Sequence, residues 1–390
     1  MLLSRFASAS ALVALAGVPA FADESPVVEI VPGDQVAEGD PPHDVTVPAV
    51  GAKPVVRKPT GTFAVGAGFS PDDGFLVHAA VVQPNLFHPG HRLALTADMS
   101  AVRQQAALTY DVPVLPNLDL QTELFTQRRD FGQFTREGTG GELGLSYKVD
   151  KHTRIYGRYR LEAVRTTLGT DMKPSDIPAR RESELGNGYV ATLGAGVVYD
   201  TLDEHFLPRR GTRFELFTDR ADPRWGSDYT FERTGGSIDH ARDLGPFTLR
   251  LHGHAAYIRG PLGVPLSERL QHDGHAEVRG YGLDSLPPLG SNIEAVGRVE
   301  LELPVWKRAG LSLAGFADAG LRENTDAMYP TGTGSPGSLA YGSTSPLLQR
   351  SVGLSIIWRS PIGPLRFDWA VPLDGDKRDR QFLFGLGGSW

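Results

Sequence analysis

Cysteine is absent from all 390 residues. That excludes disulfide staples, thiolate catalysis and zinc–thiolate sites, so stability must come from a core, a closed sheet or a membrane. A basic excess is missing too. The net charge of −7 excludes the positive face that nucleic acid asks for. Past residue 22 no apolar run reaches the ~20 residues of a membrane helix, and no helical amphipathic segment is sustained. There is no G-x-S-x-G elbow, and no Ser–His pairing can be placed, so no enzyme and no catalytic residue is expected.

The first residues do have a recognisable design. Arg5 supplies a positive start, Phe6 to Val18 an apolar stretch, and Ala20-Phe21-Ala22 an A-x-A cleavage site. Residues 1–22 read as a secretory signal peptide. Residues 23–59 are rich in proline, glycine and acids without a period, and read as a disordered periplasmic linker.

From residue 60 to 390 the texture becomes dyad alternation, with 46 glycines in the chain as a whole. In FTLRLHGHAAY, Phe247, Leu249, Leu251, Ala255 and Tyr257 oppose Thr248, Arg250, His252 and His254. In GRVELELP, Val299, Leu301 and Leu303 oppose Arg298, Glu300 and Glu302. In PLRFDWAV, Leu365, Phe367, Trp369 and Val371 oppose Arg366 and Asp368. Arg154, Arg158 and Arg160 likewise share one face. Apolar rows backed by charged rows suit lipid outside and water inside. Lipid forbids an open sheet edge, so such a sheet must close.

Strands are expected near Thr62, Phe75, Arg92, Arg103, Asp119, Glu142, Thr153, Val190, Arg213, Tyr229, Phe247, Glu294, Leu311, Val352, Leu365 and Phe382. The expected fold is an all-β transmembrane antiparallel β-barrel of about 16 strands. Connections alternate between short (LFHPGH, VPVLPN, KVDKH, ARDLGP, PVWKRAG, RSPIGP) and long (167–186, 259–292, 322–347). Short periplasmic turns and long outer loops are the outer-membrane pattern, which makes 259–292 the sixth outer loop.

Three further motifs carry little chemistry. His252 and His254 lie two apart on one face, but no third ligand has a clear spacing, so they read as lumen lining. The HDGH run, His272 to His275, reads the same way. GTGSPG, Gly332 to Gly337, matches G-x-G-x-x-G formally but follows no strand-to-helix unit and contains Pro336. No metal and no cofactor is expected.

The pieces YDTLDEHFLPRRGTRFEL, EVRGYGLDSLPPLGSNIEAVGRVELELP, GLSLAGFADAG and SVGLSIIWRSPIGPLRFDWAVPL resemble, in order and spacing, the barrel of the BamA/TamA superfamily, which includes the bacterial surface antigen domain. VVQPNLFHPGHRLAL adds a weaker match. The resemblance implies sixteen strands in the bacterial cell outer membrane and a sixth loop folded into the lumen. It makes Val278, Arg279, Gly280 and Tyr281 the loop tip, and Phe316, Asp318 and Gly320 the wall motif, with Glu300 as a second acid.

The alternation agrees. Leu311, Leu313, Ala317 and Leu321 take the lipid face, leaving Ser312, Phe316 and Asp318 inside next to Glu300 and Glu302. A planar guanidinium at Arg279 can serve two carboxylates at once, which lysine cannot match. At the C-terminus Phe382, Phe384, Leu386 and Trp390 fall on one face. That row resembles the terminal strand signal of outer-membrane proteins, and an interfacial aromatic girdle reads it equally well.

By resemblance the function is insertion or translocation of proteins at the outer membrane, with a seam between first and last strands where client strands add. The implied partners are outer-membrane lipid, outer-membrane protein clients and a separate periplasmic partner. The last follows because residues 23–59 are too few for a POTRA domain, so the resemblance is to a form lacking them. A passive structural barrel or narrow pore stands as the alternative.

Overall fold

The computed structural model describes residues 61–70, 73–132, 134–169, 186–205, 207–261, 263–271, 277–282, 290–325, 346–360, 363–374 and 381–386. The expected signal peptide and linker, Trp390, the HDGH run and the GTGSPG run lie outside them. No described helix is long and apolar enough to cross a membrane.

The chain crosses in strands. The first four are β1 (Thr62–Ser70), β2 (Gly74–Pro84), β3 (Arg92–Met99) and β4 (Arg103–Leu115). Next come β5 (Leu118–Asp130), β6 (Phe134–Lys148), β7 (Thr153–Leu168) and β8 (Gly188–Asp200). They are followed by β9 (Gly211–Ala221), β10 (Phe231–Leu244), β11 (Phe247–Arg259) and β12 (Ile293–Trp306). The last are β13 (Leu311–Glu323), β14 (Leu347–Ser360), β15 (Gly363–Pro372) and β16 (Gln381–Leu386).

Each strand pairs antiparallel with its sequence neighbours, and β1 pairs with β16, closing a sixteen-strand barrel. Fifteen of the expected strand positions fall inside a strand. Tyr229 does not: it precedes β10, because a 3-10 turn at Pro223–Trp225, capped by the Asp222 side chain, holds the chain out of the sheet there. Its hydroxyl donates to the carbonyl of Asn187 at 2.6 Å.

Burial is inverted relative to a water-soluble sheet. On β14, Leu354 is 71% exposed while Gln349, Ser351 and Ser355 are buried. On β15, Trp369 is 54% exposed while Asp368 is fully buried. Apolar side chains turned out and charges turned in require an apolar solvent outside, which a bilayer supplies. Aromatic contacts reinforce the outer face at the closing strand, where Phe367 stacks on Phe384 with ring centroids 4.9 Å apart and on Phe382 at 6.3 Å.

The lumen is occupied from both ends. The β11–β12 connection enters from the long-loop rim and buries Val264, Leu266 and Leu270. The β8–β9 connection enters from the other rim and buries Leu207 against Ala314 and Ile357. Arg250 Nε donates to the carbonyl of Pro208 at 2.8 Å, fixing that turn.

Candidate functional site

The β11–β12 connection returns to the wall at 277–282. The guanidinium of Arg279, one of its buried residues, meets Asp318 on β13 with both arms: Nε donates to Oδ2 and Nη2 to Oδ1, each at 2.7 Å. The Arg279 backbone N–H also donates to Oδ2, at 3.2 Å. Nη1 donates to Glu300 Oε2 on β12 at 3.2 Å. The ring of Phe316 lies under the guanidinium, 3.5 Å from Cζ to the centroid. A flat delocalised cation fits that sandwich of carboxylate edge and ring face; a lysine ammonium does not.

Each wall residue has a distinct physical job. Asp318 takes the fork and Phe316 supplies the platform. Gly320 supplies space: a Cβ there would stand 2.7 Å from Val278 Cγ2, too close for any side chain. Val278, Tyr281 and Val296 form a small buried cluster at that point. Gly280 turns the loop with a φ of +98°, in the left-handed region that a Cβ disfavours. The Tyr281 hydroxyl donates to the carbonyl of Arg350 at 2.8 Å and accepts from the N–H of Asp374 at 2.9 Å.

The acids extend beyond the pair expected from sequence. Arg366 on β15 contacts Glu300 and also pairs with Asp368, Nε to Oδ2 at 2.9 Å. Asp368 in turn stands 3.9 Å from Arg279 Nη1. Arg250 reaches Glu300 at 3.1 Å and contacts Glu302, which Arg359 meets at 2.8 Å. The cluster therefore joins four carboxylates (Glu300, Glu302, Asp318, Asp368) to four guanidinium groups (Arg250, Arg279, Arg359, Arg366). Removing one cation leaves the wall short of positive charge where little water can compensate.

A second anchor was not expected. Arg136 on β6 donates through Nε to the carbonyl of Ser267 at 3.0 Å and through Nη2 to Glu268 at 2.9 Å. Its third contact, Nη1 to Glu162 on β7 at 2.8 Å, ties it to the wall. Val264 and Leu270 complete this anchor in an apolar cluster with Val164, Val190, Phe231 and Ile258. The loop is thus held at β6–β7 near its start and at β12–β15 at its tip. The sequence signal for the Arg136 anchor was a single inward arginine facing an acid 132 residues away.

Residues 85–390 match the family model described as the Omp85 superfamily domain. The outer membrane protein assembly factor BamA of Nitratidesulfovibrio vulgaris is 26% identical over 351 residues, covering 85% of this chain and 42% of the relative. BamA of Neisseria meningitidis serogroup B is 26% identical over 385 residues, covering 85% and 47%. The chain spans less than half the length of these curated relatives. Among solved structures, BamA from Haemophilus ducreyi lacking POTRA domains 1–3 aligns with a TM-score of 0.66 at 20% identity, over 84% of this chain and 70% of that one. CdiB from Acinetobacter baumannii aligns with a TM-score of 0.53 at 15% identity, over 84% and 59%. The chain belongs to the Omp85 superfamily, as a sixteen-strand barrel of the outer membrane.

Proposed function

We propose that this barrel assists the insertion or translocation of proteins at the outer membrane. The observation that carries the reading is the closure. It joins β1 to β16, and among the described residues their register covers Ala67↔Leu386, Gly68↔Gly385 and Phe69↔Phe384. β1 and β16 are the one neighbouring pair that no connecting loop ties together, and a separated edge offers its backbone N–H and C=O groups to an incoming strand. The action needs no covalent step and no cofactor, because backbone pairing does the recognising. The assembly role named for the BamA relatives supports the same reading.

Clients would be outer-membrane proteins, delivered by a periplasmic partner. In this scheme the sixth loop, held by Arg279 at β12–β15 and by Arg136 at β6–β7, braces those two stretches of wall while the seam opens. A passive pore is disfavoured by a lumen filled from one rim by the sixth loop and from the other by Leu207. Quantitative outer-membrane proteomics after deletion of the gene tests the proposal. Depletion of specific barrel or surface proteins is expected, and an unchanged proteome would contradict it.

A further inference from the structure

Directly before the loop tip, three side chains from three segments converge. His254 stands on β11, Glu294 near the start of β12, and Glu277 immediately precedes Val278. Their ligand atoms all lie within 4.8 Å of one another. The side chains of His254 and Glu294 are only 8% and 2% exposed. Yet His254 Nε2 and Glu294 Oε2 have no hydrogen-bond partner. A buried imidazole nitrogen and a buried carboxylate oxygen without hydrogen bonds are costly unless a further group satisfies them.

The spacing says what that is. His254 Nε2 is 3.6 Å from Glu294 Oε1, too long for a hydrogen bond. Two ligands bound tetrahedrally at ~2.0–2.1 Å from one ion stand about 3.4 Å apart. We propose that His254, Glu294 and Glu277 form a site for a divalent transition metal of the zinc class. Imidazole with carboxylates suits zinc, whereas calcium and magnesium take all-oxygen shells. Arg322 contacts Glu277 and stands 3.8 Å from Glu294 Oε2. It offsets one of the two negative charges and positions both carboxylates from the far side. His252, which the sequence pairs with His254, is taken: its Nδ1 lies 2.6 Å from Asp239 Oδ1.

Such an ion would tie the loop to β11 and β12 two residues ahead of Arg279, making a tether that a chelator can remove. The test uses the full chain in detergent, stripped with chelator and titrated with zinc chloride by calorimetry. Cobalt(II) absorption serves as a spectroscopic readout. One equivalent is expected to bind and to raise the unfolding temperature. Glu294→Gln and His254→Ala should each weaken binding at least about tenfold, since losing a ligand costs no less than losing an outer partner. Heat-modifiable gel mobility verifies that each variant is folded, and Glu277→Gln replaces any that is not. Absence of stoichiometric zinc uptake overturns the proposal, as does uptake that survives both His254→Ala and Glu294→Gln.

Discussion

Arg279 and Asp318 meet fork to fork, with two parallel contacts of 2.7 Å between a loop and a barrel strand 39 residues further along the chain. Bidentate pairs of this kind fix direction as well as distance. Because the pair is buried, its loss is felt through the partner left behind.

Arg279→Ala strands Asp318, while Glu300 keeps Arg250 and Arg366, and should cost about 3–5 kcal/mol. The expected result is a lower temperature for the gel-mobility shift of the heated barrel. Arg279→Lys should recover only a small part, since an ammonium reproduces neither the fork nor the stacking on Phe316. Equal unfolding temperatures for all three proteins would remove the pair from the account.

Gly320→Val should dislodge the loop tip by steric contact with Val278 rather than by any loss of charge. Overpacking of this kind costs about 1–3 kcal/mol. Combining it with Val278→Ala should return part of the loss, and the double-mutant cycle measures how much. Strict additivity would mean the two residues do not touch.

Arg136→Ala should release the start of the loop and leave the tip in place. Limited proteolysis from the outer face should then cut within 261–271 while the Arg279 contacts persist. Protection equal to the parent protein would show that the apolar packing of Val264 and Leu270 suffices without the ion pairs.

The strands and the inward wall residues were legible in the chain for one physical reason, whereas the loop tip Val278–Tyr281 came from the family resemblance. A wall between lipid and water imposes a two-residue period, and Leu313, Phe316, Ala317 and Asp318 display it without reference to anything distant. The Arg136 anchor was not legible. Arg136 and Glu268 acquire meaning only when β6 is known to face the incoming loop across the lumen. The same holds for Leu207, whose partners Ala314 and Ile357 lie on strands far along the chain. Arg366 and Asp368 were visible as inward residues, but nothing local connects them to Glu300. Alternation tells which way a side chain points, and closure of the barrel tells what it meets.

Under the proposed function, the β1–β16 seam must part for client proteins to be assembled. The chain has no cysteine, so the pair Gly68→Cys and Gly385→Cys, facing one another in the register, can be oxidised without competing thiols. The measurement is the outer-membrane proteome of deletion cells carrying this variant, oxidised or kept reduced. The prediction is that the reduced protein restores the depleted proteins and the oxidised one does not, with both present as folded barrels. Full restoration by the oxidised, cross-linked barrel would contradict the claim.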